Sequence, residues 1–395
     1  MVVMIAAITE YCSYAFVLLM FAGKFGTIKA IAFYLPAGLW ALRLLFKKEM
    51  GFNWKDPLFL LIMLFFVSAL VSALMGEQYL HSLKVLKKEH LKLLLLYCTI
   101  CSVFYEPGRL KRFAYIMAVV GVVYLAYAYF DVGRYLIKHG FSDYLEVRYF
   151  ATILLFFFPF ILMRYMDSKW MAKILFFFPL FATIAGLFIL GVRASWIGLV
   201  VILVLWGTLS GEYFFNRLKP LVLIIVATLM VLSTFLIFPS QYKIIKKHTM
   251  ETIQMQQRLT LWDTFSKISL EKPLYGHGLD DNDMAGNYLK SYTPLTGHVH
   301  GKEEPSSPHD QFLKIFYQQG LIGLIIYSLI ILITIGRLIY AIIKHQEASV
   351  KFLGLAILSS LVGEYLIRTI FEDRSLIPLG VILGMAGAYF SKTKE

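Results

Sequence analysis

A histidine stands at the point where a polar stretch turns apolar: His309, in SSPHDQFLKIFYQQGLIG (306–323). Two arginines stand upstream, Arg193 in FILGVRASWIGLV and Arg258 in METIQMQQRLTLWDTF. An imidazole near neutrality is suited to general-base work. A guanidinium grips phosphate oxygens with a two-pronged geometry that lysine cannot match. Together the three residue types suit a transfer in which a hydroxyl attacks and a diphosphate departs, its developing charge neutralised by fixed cations.

Each residue has a local argument. Ser307 suits an N-cap and Pro308 a first helical position, so His309 is expected in the first turn of an apolar helix. The helix dipole and neighbouring arginines disfavour imidazolium there and keep the ring neutral. Gly320, eleven residues on, then shares the histidine's face, and Gly320 and Gly323 let another helix approach closely. The plainer alternative is an interfacial histidine. Arg193 sits where two apolar runs join with almost no connection, which pins it at a membrane edge beside Trp196. Desolvating a guanidinium costs several kcal/mol unless an anion satisfies it. Arg258 lies within an amphipathic helix expected from about Thr249 to Ser269, in the interface plane, with Trp262 one turn on to hold it. Lys272-Pro273, Gly276 and Gly278 stop that helix. A snorkelling interfacial arginine remains the other reading of Arg258.

Other clusters point to less. His277, His298, His300 and the run from Asp280 to Asp283 match no zinc or calcium spacing, so neither metal nor cofactor is expected. Cys98 and Cys101 lie inside the apolar run LLLLYCTICSVF and read as small hydrophobes. Glu364 and Arg368, four apart, are expected to pair within a membrane helix, with a proton relay as an alternative.

The elements that must position these groups are membrane helices. Of 395 residues, 59% are hydrophobic and 16% charged, against about a quarter charged in soluble domains. Mean hydropathy is +0.69. The fold class expected is an all-α polytopic membrane protein of about twelve spans: 4–23, 27–46, 57–75, 90–105, 113–130, 149–164, 171–191, 194–210, 219–238, 311–336, 351–371 and 375–391. MVVMIAAITE lacks the basic start and cleavage site of a signal peptide and reads as a retained first span. The chain divides into spans one to nine (1–238), a large loop containing helices (239–310) and spans ten to twelve (311–395). Lys and Arg spread evenly through the connections of one side, which marks that side and both termini as cytoplasmic. The large loop is then extracytoplasmic. The net charge of +13 suits anionic lipid headgroups, and no nucleic-acid partner is expected. Outer connections still carry Lys84, Lys88, Arg134 and Arg148, either as lipid-facing trim or to draw in a large anion.

HDQFLKIFYQQGLIG resembles the signature of the O-antigen ligase/polymerase superfamily: His, then Asn, Ser or Gln, nine residues, Gly, two more and a small residue. Asp310 departs from it at the second position. RLTLWDTFSKISLEKPLYGHG is similar to that family's Arg, Trp, Pro-(aromatic)-Gly-x-Gly pattern, and GVRASWIG to its SRG-type arginine, with Val192 in place of Ser. The motifs occupy about 60 residues in all. The resemblance implies a GT-C-like, metal-independent, inverting glycosyltransferase of the bacterial inner membrane, working on the periplasmic side. It would move a preassembled glycan from undecaprenyl diphosphate to a sugar hydroxyl of lipid A–core, with Arg193 and Arg258 on the diphosphate and His309 activating the acceptor. The twelve-span length leans towards ligation. Polymerisation onto a second lipid-linked repeat is the alternative, and a polyprenyl-glycan transporter or flippase the reading from another class.

Overall fold

A computed structural model of the chain describes residues 2–22, 25–47, 53–139, 149–190, 192–210, 251–280, 308–369 and 375–392. Among these residues the secondary structure is helical, with no strand. Seven helices are long and apolar enough to cross a membrane, and Ile5–Leu19, Ala194–Leu209 and Leu376–Ser391 are shorter apolar ones. This is a multi-pass membrane protein. The expected ninth span, 219–238, lies outside the described residues.

The N-terminal half runs α1 (Val2–Leu19), α2 (Gly26–Lys47), α3 (Pro57–Met75), α4 (Tyr79–Val85), α5 (Leu91–Val103) and α6 (Pro107–His139). The start of α3 shows how local sequence sets a boundary. Asp56 accepts from the Leu58 N–H, and Pro57 takes the first helical position, where its missing N–H costs nothing. The expected fourth span, 90–105, falls at the end of an unbroken helical run from Tyr79 to Val103. A π-helical turn, Leu86–His90, joins α4 to the 13-residue α5, so the polar KKEH segment continues the helix without forming a loop.

The centre of the bundle is α7 (Tyr149–Asp167). All but three of its residues are buried, as befits a helix apolar on every face. Around it stand α8 (Trp170–Leu190), α9 (Arg193–Leu209) and α12 (Ala348–Ser359), the last continuing through a π-helical stretch, Ser360–Leu366, to Thr369. In the expected large loop, α10 (Glu251–Ser269) is formed and packs on α11 (Gln311–Lys344), while α13 (Leu376–Lys392) packs on α5.

The tenth span extends to Lys344 beyond the expected end at 336, because Arg337 is no terminator. Its guanidinium forks onto Asp56 at 2.7 and 2.9 Å and lies 4.0 Å over the Phe390 ring. A charge satisfied on both faces continues a helix at little cost. The same contact ties the far end of α11 to the start of α3. At the other end of these helices, Glu89 accepts from Ser375 Oγ and Leu376 N–H, a carboxylate at a helix N-terminus as the macrodipole favours.

Candidate active site

The residues around His309 are arranged differently from the sequence expectation, and the difference is informative. α11 begins at Gln311, and its N-cap is Asp310, whose carboxylate accepts from the Leu313 N–H at 2.7 Å. Ser307 lies outside the described residues. His309 therefore stands ahead of the cap and outside the first turn, exposed, with φ of +51°. The dipole argument for a neutral ring, which needs the first turn, does not carry over. The left-handed backbone does carry information. A non-glycine residue held there is uncommon, although histidine is among the types that tolerate it.

The cap also explains the departure at Asp310. The position requires a short side-chain acceptor, and Asp, Asn and Ser serve it about equally. Burial pushes the Asp310 carboxyl above its usual range, while the Leu313 and Phe312 N–H groups pull it back. Asp310→Asn is expected to keep the cap and the activity. Asp310→Ala is expected to cost about 1 kcal/mol of stability and to release His309, read as a lower thermal midpoint and slower turnover of the purified protein.

Arg258 is connected to His309 through its helix. Leu261, Phe265 and Ile268 of α10 are buried in one cluster with Tyr317 of α11, Leu313 packing beside them. Burying such side chains is worth about 1.5–3 kcal/mol each, so α10 turns its apolar stripe to protein, where an interface-plane helix was expected. Trp262 donates from its indole N–H to the Pro308 carbonyl at 3.0 Å. The side chain of the residue one turn beyond Arg258 on α10, a rise of about 6 Å along the helix, is thereby bonded to the residue before His309.

Beyond α10, the KPLYGHGL turn enters a break in α11. Gly320 has φ of +67° inside that helix, so His309 and Gly320 do not share one continuous face. At the break, Leu321 N–H donates to Pro273 O at 2.7 Å, His277 N–H to Tyr317 O at 2.9 Å and Gly278 N–H to Gln318 O at 3.2 Å. A Cβ on Gly320 would stand 2.4 Å from the Leu274 carbonyl oxygen, and one on Gly276 2.4 Å from that of Gln318. The expected close approach at Gly320 is real, but a turn makes it and not a second helix. Gly323 meets the Gln319 side chain of its own helix.

The interlock is lined by polar groups, all buried except the half-buried Ser68. Ser72 donates its hydroxyl to Gln318 O, Ser68 bonds Gln319 at 2.8 Å, and the Gln319 amide bonds His90 at 2.8 Å. The Gln318 amide donates to Leu279 O, and Leu279 N–H to Ser82 Oγ. His277, weighed above for metal binding, stacks on Tyr317 at 4.7 Å and bonds Ile268 O at 2.8 Å. Sequence reasoning passed over Ser68, Ser72, Ser82, His90 and the Gln318–Gln319 pair. Two adjacent glutamines inside an apolar run were the available signal.

The remaining candidates are placed as follows. Arg193 is the first residue of α9. The side chains of Arg193 and Arg258 and all of Arg148 lie outside the described residues, as do His298, His300 and Asp281 to Asp283. Lys84 and Lys88 are exposed on the helical segment whose inner side carries Ser82, Leu86 and His90, and Arg134 is exposed on α6. None of the three is bonded to the interlock among the described contacts. No group of three or more metal-ligand side chains occurs among the described residues. The cysteines are free, Cys98 and Cys101 buried and Cys12 half-buried.

Comparison with known proteins finds two likenesses. Residues 178–328 match the model of a family described as O-antigen ligase, a stretch that takes in Arg193, Arg258, the KPLYGHGL turn and His309. A protein of Salmonella typhimurium named O-antigen ligase is 23% identical over 239 residues, 60% of this chain and 58% of that protein. The chain thus matches less than two thirds of that relative's length.

Proposed function

Starting from the O-antigen ligase family, which both likenesses support, we propose that this chain transfers a preassembled glycan from undecaprenyl diphosphate to a sugar hydroxyl of lipid A–core. Arg193 and Arg258 take the diphosphate, and His309 accepts the proton of the attacking hydroxyl. The reaction runs on the periplasmic side of the inner membrane. That side follows from twelve spans with both termini cytoplasmic and 239–310 as the outer loop between the domains 1–238 and 311–395.

The observation that carries the reading is the Trp262–Pro308 hydrogen bond. It supports placing the Arg258 helix and His309 at one site, although 50 residues of chain separate the two positions. The chemistry then balances with this chain's own groups. The acceptor oxygen attacks the anomeric carbon as the bond to the diphosphate oxygen breaks. His309 takes the acceptor proton, and the arginines hold the charge that develops on the departing diphosphate. Direct displacement inverts the anomeric configuration. The guanidinium pair supplies the neutralisation that a divalent ion provides in other phosphate chemistry. Lys84, Lys88, Arg134 and Arg148 would draw the anionic headgroup to the outer face.

Replacing either arginine by alanine is expected to cost about 10²–10³ in rate, with weakened binding of undecaprenyl diphosphate, measured on purified protein. EDTA is expected to leave the wild-type rate unchanged. An EDTA-sensitive enzyme would end the metal-independent mechanism. In cells, deletion should remove the capped lipopolysaccharide ladder while lipid-linked polymer accumulates. Core bearing a single repeat would instead indicate polymerisation, and lipid-linked repeat retained on the cytoplasmic face a flippase.

A further inference from the structure

The start of α9 is held in an unusual way. Val192 occupies its N-cap and contributes no side-chain bond, so the capping contact that a hydroxyl would give is missing from the turn that begins with Arg193. The hold comes from the end of α12. There the helix widens into the π-helical stretch Ser360–Leu366, and such bulges shift the register of every residue beyond them. Inside the bulge, the Gly363 carbonyl lies so close to α9 that a Cβ on Gly198 would stand 2.2 Å from its oxygen. Just past the bulge, Arg368 donates from Nη1 to Ser195 Oγ at 2.5 Å.

Both ends of that bond are buried, Arg368 at 1% exposure and Ser195 at 0%. A guanidinium is expensive to bury, and this one reaches the third residue of the helix that Arg193 opens. Without the π-helical residues, Arg368 would leave α12 at a different angle, because each further residue rotates a helix by about 100°. Bulge, glycine contact and buried bond all act on the first two turns of α9.

We propose that Arg368 is a positioning residue: through Ser195 it fixes the first turn of α9 and so the point from which Arg193 meets an anionic diphosphate. The role of Arg193 in this statement rests on the function proposed above. Arg368 stands behind the site and acts through the helix, and touches no substrate.

The test uses the full chain purified in detergent, with Arg193→Cys as a reporter. Its labelling rate by a membrane-impermeant maleimide is compared in otherwise unchanged, Ser195→Ala, Arg368→Ala and doubly substituted backgrounds. The half-buried Cys12 is replaced by Ser in every background, and buried Cys98 and Cys101 keep the remaining labelling low. Both single changes should alter the labelling rate about tenfold, and the double change should add nothing further, as expected of one shared bond. With Arg193 intact, Ser195→Ala and Arg368→Ala should weaken undecaprenyl diphosphate binding about 10- to 100-fold, the range for a hydrogen bond to a charged group. The rate at saturating donor should fall as well, by less than in Arg193→Ala, and Ser195→Thr should restore binding and rate where Ser195→Ala does not.

An unchanged labelling rate in both single variants overturns the proposal. So does a loss of donor binding with labelling unchanged, which would mean that Arg368 touches the ligand. Should Arg368→Ala fail to fold, Ser195→Ala decides alone, since it removes one oxygen atom. If labelling shifts as expected while Arg193→Ala binds the donor normally, the positioning stands and the diphosphate clamp fails.

Discussion

Replacing His309 by alanine is expected to slow glycan transfer about 10²–10⁴-fold, the range for loss of a positioned base, while undecaprenyl diphosphate binds as before. The local geometry makes this a clean substitution. His309 already holds a left-handed φ of +51°, and alanine carries the same Cβ into that conformation, so the backbone cost is nearly matched. The neighbours on either side are fixed by other bonds. Pro308 is held by the Trp262 indole, and Asp310 caps α11 through Leu313. Removing an exposed imidazole between two anchored residues should therefore take away chemistry and leave the fold. The measurements are single-turnover transfer with a defined lipid-linked donor, a donor-binding titration and a thermal melt of the same preparation. Transfer within about threefold of wild type would remove His309 from the mechanism, and a collapsed melt would mean that the residue is structural.

The membrane architecture was legible because apolar runs near 20 residues leave a bilayer protein few alternatives. The helical character of 251–269 and the stop after it were equally plain from apolar spacing, Lys272-Pro273 and the glycines. What the pattern could not convey was which surface α10 would cover. An amphipathic stripe reads the same against lipid or against Tyr317, and only long-range packing decides. The start of α11 was misplaced by a few residues, since Ser307-Pro308 and Asp310 are both acceptable caps and the choice depends on the Trp262 bond from a segment 46 residues away. The π-helical turns at Leu86–His90 and Ser360–Leu366 leave no clear mark in composition. They matter here because they direct His90 to Gln319 and Arg368 to Ser195.

Gly320→Ala is expected to disable the enzyme as thoroughly as loss of the histidine, by a different route. Alanine at φ of +67° costs about 1–2 kcal/mol by itself. Its Cβ would also stand 2.4 Å from the Leu274 carbonyl oxygen and 2.6 Å from the Tyr275 nitrogen. Those are backbone atoms, so relief requires the KPLYGHGL turn to withdraw. Withdrawal breaks the Leu321–Pro273, His277–Tyr317 and Gly278–Gln318 hydrogen bonds, worth about 0.5–1.5 kcal/mol each. The total comes to about 3–6 kcal/mol, or roughly 10²–10⁴ in the population of the interlocked state. Because α10 ends in this turn, its loss leaves the helix that carries Arg258 held to the region of His309 only through the Tyr317 cluster and the Trp262–Pro308 bond. Donor binding and transfer should then fall together, which separates this variant from His309→Ala, where transfer alone falls. Gly276→Ala, which drives a Cβ into the Gln318 carbonyl from the other side, should give the same phenotype. Combining the two should cost little more than either alone, since each breaks the same contact. Proteolysis within 270–280 in detergent, faster in both variants than in wild type, would report the withdrawn turn directly. Resistance equal to wild type together with full activity would show that the break in α11 tolerates a side chain and does not hold the two halves of the site in register.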